Sequence, residues 1–346
     1  MPFSPEQLSY GATHAINYFM RNKPIDQVNT ERPLLKRLLA NRRDWPGGLQ
    51  YVVENLRVSN DSNFQSYFGD QQVTYNRKRT LAAAKFTWGS FHDGFGLNED
   101  ELAQNGVTMT DDRQSTPTDA ERVQLVNLFE ENMETLKEGF QEHFDIMVHR
   151  DGTQSPTDLP GLDHIVDLTP ATGIVGTIDA GSEPLWRNYA KTAIPAANLV
   201  SEAEIAWREV VRRGSTAPDF ILAGAAAYDA YVSNANNTIN RQIVVNGRGG
   251  TTVDASTTGA FFHGVEIVWD PVFDVLDTLD APAIPWSKRM YMLNMRHLSL
   301  RPIKGHWLVP RKPPRVYDRY VHYFALTAKA ALTTNKRSAQ AVLAIA

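Results

Sequence analysis

Nine histidines and no cysteine bound the chemistry open to this 346-residue chain. Without thiols there is no disulfide, no thiolate nucleophile and no Cys-ligated zinc, which fits a reducing compartment. His143 and His149 stand six apart, a spacing that puts them on different faces of a helix and argues against a metal pair. Asp270, Asp274, Asp277 and Asp280 follow one another through a proline-containing segment. Their order does not match an EF-hand, so the segment reads as a solvated loop rather than a calcium site. Gly247-Arg248-Gly249-Gly250-Thr251-Thr252 is glycine-rich but lacks the lysine and the strand-to-helix setting of a phosphate loop. There is no G-x-S-x-G and no H-E-x-x-H. Asn236-Asn237-Thr238 is a glycosylation sequon with no signal peptide to expose it. A hydrolase built on His164 or His263 with carboxylates is the remaining catalytic reading, and no clustered triad supports it. No catalytic residue, cofactor or metal ligand is expected.

With chemistry thin, the elements carry the reading. Hydrophobic residues make up 42% and charged residues 21%, an ordinary globular balance. The net charge of −4 offers no global basic field to recruit nucleic acid. No apolar run approaches the roughly 20 residues of a membrane span, and the first twenty residues lack a signal-peptide layout.

The longest regular pattern covers residues 116–148. Val126, Phe129, Met133, Leu136, Phe140, Phe144 and Met147 recur every three or four positions, the period of one helix face. Thr118 and Glu121 form a capping box, with Pro117 before and Asp151-Gly152 beyond the far end. At 1.5 Å per residue the rod spans roughly 45 Å. Alone, it would be a core helix or a coiled-coil arm. Residues 118–148 carry eight acidic residues against two basic, a net of −6, mostly off the apolar face.

Residues 1–45 read as an arm broken by Pro2, Pro5, Pro24 and Pro33, with a helical piece at 31–40. Seven basic residues against four acidic give it +3, and so coreless a segment orders only by lying on something else. Trp45-Pro46-Gly47-Gly48 turns into an extended run at 49–58, and a second follows at 73–95. Together they predict a long hairpin whose tip carries Phe64, Tyr67 and Phe68. An isolated hairpin is marginal, so it must pack either on another subunit or back on its own domain. Arg77-Lys78-Arg79 on it could meet acidic groups there.

After the long helix, a second capping box, Ser201 with Glu204, opens a helix to about residue 213. A buried strand is expected at 218–223, a helix at 225–233, a loop at 234–259, and strands at 265–269 and 290–300. Two closing strands, 321–332 and 339–345, flank a turn at Asn335-Lys336-Arg337. The plan is α+β. Trp186-Arg187 reads as packing or an interface.

This order, together with Gly161-Leu162-Asp163-His164-Ile165-Val166, Gly176-Thr177-Ile178-Asp179, Trp186-Arg187-Asn188 and Pro218-Asp219-Phe220-Ile221-Leu222, resembles tailed-phage major capsid proteins of the Hong Kong 97 (HK97-like) fold. The closing Asn335-Lys336-Arg337 before Ala341-Val342-Leu343 resembles that family's ending, so the likeness spans the chain. It implies an N-terminal arm at 1–45 and an extended E-loop at 46–97. It implies a peripheral domain from 98–168 and 316–346 with the spine helix at 118–148, and an axial domain at 169–315. Self-assembly into pentamers and hexamers around double-stranded DNA would follow, in a virion assembled in the host bacterial cytoplasm. Portal and scaffolding proteins, and a decoration protein, are the implied partners, with scaffolding supplied separately because only about 45 residues precede the hairpin. Inter-subunit contacts are expected at Tyr67, Phe68, Arg77, Arg79, Trp186 and Arg187. Some members join subunits through a Lys–Asn isopeptide bond; Lys78 and Lys85 sit on the hairpin, but no catalytic glutamate aligns. An encapsulin-type compartment shares the fold and is the alternative.

Overall fold

The computed structural model describes residues 31–76, 78, 80–98, 100, 119–238, 260–313 and 321–346, with the backbone alone for 119–130 and 235–238. The expected arm before residue 31, the Thr118 cap, the part of the expected loop at 239–259 with its glycine run, and Arg77 and Arg79 lie outside the described residues.

In chain order the elements are α1 (Pro33–Ala40), β1 (Val52–Arg57), β2 (Leu81–Phe86), β3 (Gly89–Asn98), α2 (Asp119–His149), α3 (Leu162–Ile165), β4 (Ile174–Val175), β5 (Ile178–Asp179) and β6 (Tyr189–Ile194). There follow α4 (Leu199–Gly214), β7 (Phe220–Ala223), α5 (Ala225–Thr238), β8 (Phe261–Phe262), β9 (Val265–Trp269), α6 (Val272–Asp280), β10 (Arg289–Leu293), β11 (Leu298–Pro302), β12 (Val309–Arg311), β13 (Val321–Thr334) and β14 (Ala341–Ile345). The described residues divide into two compact units, one drawn from 90–144 and 305–329 and the other from 31–89, 145–304 and 330–346.

In the first unit, β12 pairs antiparallel with β13 from Val309↔Thr327 to Arg311↔Ala325, and β3 also pairs with β13. Gly94 is required there: a Cβ would lie 2.7 Å from the Phe324 carbonyl oxygen. The four-residue spacing of Leu136, Phe140 and Phe144 puts all three on one buried stripe of α2. Phe144 meets Phe91 and Trp307 edge-on, each at 5.3 Å between ring centres, within the favourable range for edge-to-face pairs. Met133, expected on this stripe, is only half-buried.

The second unit is built on a six-stranded sheet in the order β6-β14-β10-β7-β9-β8. Three of its inner strands, β7, β10 and β14, are buried at every position, which is why they read as largely apolar runs rather than alternating ones. Alternation still sorts the two faces. Ile221, Ala223, Met290, Met292, Ala341 and Leu343 pack with Leu199, Ala203, Ala206 and Val210 of α4. Tyr291 takes the opposite face, against Phe273 of α6 and Trp286.

Several expected boundaries move. The extended run at 73–95 is two strands in different sheets: β2 ends at Phe86, and β3 turns away to β13. The run at 290–300 likewise breaks at a turn where His297 N donates to Asn294 O at 3.0 Å, so β10 and β11 separate. The closing strands are not partners: β14 pairs with β10 and β6, while β13 pairs with β11, β12 and β3. The Ser201–Glu204 capping box does not form. The helix starts earlier, at Leu199, and Ser201 Oγ donates back to Asn198 O at 2.8 Å.

Candidate assembly surface

The exposed arm begins as a short antiparallel ribbon. β1 and β2 are in register from Val52↔Phe86 to Arg57↔Leu81, and one more bond, Val58 N to Thr80 O at 3.0 Å, extends it. One face of this root is apolar. Val52, Leu56, Val58, Ala84 and Phe86 pack with Trp45, Val175, Ile178, Trp186 and Ala331. Gly176 allows the approach: at φ +62° its backbone sits where a Cβ would lie 3.0 Å from both Ala84 Cβ and the Phe86 ring. Its carbonyl accepts Lys85 N at 2.8 Å.

Past residue 58 the ladder stops, yet the two limbs stay side by side through side chains. Asn63 Nδ2 donates to Asn76 O at 2.6 Å, and Thr74 N donates to Gln65 Oε1 at 3.2 Å. Gln65 Nε2 also donates to Thr74 Oγ1. The chain reverses at Gly69, where Phe68 N donates to Gln71 Oε1 at 3.2 Å. Phe64, Tyr67, Phe68 and Tyr75 are then 92%, 69%, 87% and 90% exposed. Scattered apolar side chains are normal on a surface, whereas here four large aromatics stand along one arm without their own core. Each would gain about 2 kcal/mol on burial.

Tyr67 and Phe68 thus lie on the arm, at and beside the reversal. Trp186 lies within the core of its own chain. It is 5% exposed, fills the core beneath the ribbon root and donates Nε1–H to Val175 O at 3.0 Å. Arg187 is also committed within the chain, donating to Ala180 O at 2.6 Å and Gly181 O at 2.8 Å. The short turn Pro184–Trp186 carries the indole inward, a placement local sequence could not distinguish from an outward one.

Buried charge fixes the body that carries this arm. Asp145 and His149, one helical turn apart at the end of α2, meet Asp270 ahead of α6, and all three are fully buried. His149 Nδ1–H donates to Asp145 O at 2.8 Å and Nε2–H to Asp270 Oδ2 at 3.1 Å. Both ring nitrogens face acceptors, so the ring is held as imidazolium. Burial would lower its pKa, but Asp145 and Asp270 outweigh burial and raise it to about 9. Asp145 is pushed up to about 6, by burial against the opposing pull of His149. Neither of its oxygens accepts a hydrogen bond among the described residues, and the nearer lies 3.5 Å from His149 Nδ1. Asp270 Oδ1 in turn accepts Val272 N at 3.1 Å, tying the start of α6 to the end of α2. The i, i+4 spacing of Asp145 and His149 was the available signal; comparison of His149 with His143 missed it.

Two further arginines staple the body. Arg289 donates to Asp163 Oδ1 at 2.9 Å and stacks on Trp286 at 4.1 Å. Arg337 is fully buried, with no carboxylate in ion-pair distance among the described residues, donating to Ile165 O at 2.6 Å and Trp186 O at 3.4 Å; burial lowers its pKa to about 10.

The spaced aspartates resolve into separate tasks. Asp270 binds His149, Asp277 accepts Trp286 N and Ser287 N, and Asp280 pairs with Arg150 at 2.7 Å. The segment is helix α6 rather than the expected loop. His164 is partly buried, with its pKa lowered by burial and then by Arg337. His263 stacks on Trp207 and bonds Glu204 at 2.9 Å.

No protein-family model matches this chain, and no curated protein sequence does. Solved structures do. The capsid asymmetric unit of cyanophage A-1(L) aligns over 93% of this chain and 95% of its own, at 14% identity and a TM-score of 0.60. The capsid of Myoviridae phage XM1 aligns over 94% and 96%, at 13% identity and 0.52. The capsid of cyanophage P-SCSP1u aligns over 95% and 94%, at 12% identity and 0.52. The mixed α+β architecture, the long helix and the sheet-based body of this chain are those of the HK97-like capsid fold.

Proposed function

We propose that this chain is the major capsid protein of a tailed phage, self-assembling into pentamers and hexamers of an icosahedral shell that encloses double-stranded DNA. Its work is shape rather than catalysis. The observation that carries the reading is the pairing of the HK97-like fold with an arm whose four large aromatics are left exposed by their own chain. Arms of this kind bury their surface on neighbours, and many modest contacts add up through closed symmetry. The buried area per subunit should exceed the roughly 2,000 Å² of obligate assemblies.

In this reading residues 46–97 are the extended loop, and 98–168 with 316–346 are the peripheral domain. Residues 169–315 are the axial domain, and its strands β10 and β6 pair with β14. Portal, scaffolding and decoration proteins are the partners proposed beside the chain itself, in a virion assembled in the host cytoplasm. Electron microscopy of the purified chain tests this: closed shells of uniform diameter are expected. A monomer that persists at high concentration would overturn it. Shells that copurify with a specific enzyme instead of DNA would favour a protein compartment.

A further inference from the structure

A second surface of the body is charged rather than apolar. The turn between β10 and β11 brings Arg296 and His297 beside Asn335 and Lys336. His297 Nδ1 lies 2.7 Å from Asn335 Oδ1, and Asn335 N donates to His297 O at 3.2 Å. The segment after α1 joins them: Arg43 N donates to Leu300 O at 3.0 Å, and Asn41 Nδ2 donates to Met295 O. Arg43 and Arg296 are exposed and Lys336 is half-exposed. His297 reports their field, since its pKa is lowered by burial and then by Lys336, Arg296 and Arg43, against the hydrogen bond its ring donates to Asn335.

The acids nearby are already answered. Asp44 pairs with Arg42 at 3.7 Å and Asp219 with Arg37 at 3.3 Å. Lys336 Nζ donates to Gly214 O at the end of α4, where Arg212 and Arg213 share the single carboxylate of Glu209. Among the described residues no carboxylate lies within ion-pair distance of Arg43, Arg296 or Lys336. The excess positive charge is local, because the whole chain carries −4.

We propose that this face, where residues 41–44, the β10–β11 turn and residues 335–336 meet, binds the phosphate backbone of nucleic acid without regard to sequence. The binding does not depend on the proposed capsid function. A phosphate partner fits better than a second protein copy because residues 41–44, 294–297 and 335–336 expose no large apolar side chain to form an interface core. Arginine and lysine supplied by separate turns are the groups that neutralise phosphates and release their counterions.

The test uses the full chain, held below its assembly concentration, and a fluorescent 30-base-pair duplex in 50 mM salt. Arg43→Glu/Arg296→Glu/Lys336→Glu should weaken binding by about tenfold or more, and the milder Gln triple should lower the salt slope by roughly 2–3. A duplex of unrelated sequence should bind equally. The control Arg311→Glu/Lys312→Glu should change affinity by less than about twofold, and unchanged thermal midpoints establish that each variant folds. A triple variant that binds like the control overturns the proposal. So does one that binds DNA normally but forms no shells, since the face would then be a contact between copies. If the parent chain forms no shells but the triple still loses DNA binding, the phosphate face stands and the capsid reading falls.

Discussion

The six-stranded body and the arm at 58–80 treat similar side chains in opposite ways. In the body, Ile221, Met292, Leu343 and Tyr291 are sealed on both faces of the sheet, and even Arg337, Asp145 and His149 are fully buried. On the arm, Phe64, Phe68 and Tyr75 stand almost wholly in solvent, and side-chain amides replace the backbone ladder. A region that folds alone uses its apolar groups on itself. A region that leaves them exposed needs something else to cover them.

That contrast can be broken from the body side first. His149→Ala would leave two buried carboxylates without their cation and should cost about 3–5 kcal/mol in chemical denaturation of the full chain. A loss under about 1 kcal/mol would mean that the cluster does not hold the end of α2 to α6. Gly176→Val, at the root of the arm, combines a positive φ with a Cβ crowding Ala84 and Phe86, and should cost about 2 kcal/mol. A neutral result would show that the ribbon is not seated on Gly176.

The cluster also sets a pH dependence. His149 titrates near 9 in the folded chain against 6.5 ordinarily, so its stabilisation is complete below 6.5 and is lost as pH rises through about 9. Asp145 is raised from 3.8 to about 6, so the folded state favours its protonated form; stability is fullest below 3.8 and falls as pH rises through about 6. Both slopes have the same sign, so stability should decline by about 2 kcal/mol or more from pH 5 to pH 9. Asp145→Asn should flatten the part of the melting-midpoint profile between pH 4 and 7. A wild-type slope in that variant would remove Asp145 from the account.

The fold was legible wherever periodicity and burial agree. Leu136, Phe140 and Phe144 marked the long helix, and 220–223 read as a buried strand because both faces of the sheet are covered. What escaped depends on pairing at a distance. Nothing local in 73–95 says that the strand changes sheets at Thr87-Trp88, or that the last strand skips its sequence neighbour for β10 and β6. The exposed aromatics Tyr67 and Phe68 were visible as side chains without a core. Trp186 looked the same in sequence, and only the core beneath the ribbon root shows it turned inward, while the half-exposed Arg187 beside it bonds backbone carbonyls. The Asp145–His149–Asp270 cluster joins residues 121 positions apart, a distance no motif spans.

The smallest effect expected on stability carries the largest consequence for assembly. Replacing Phe64, Tyr67, Phe68 and Tyr75 together by Ser touches no buried residue and should shift stability by less than about 0.5 kcal/mol. The most direct measurement is the melting midpoint of this variant alongside electron micrographs of it and the parent under assembly conditions. The account predicts an unchanged midpoint, shells from the parent and none from the variant. Normal shells from the variant would contradict it.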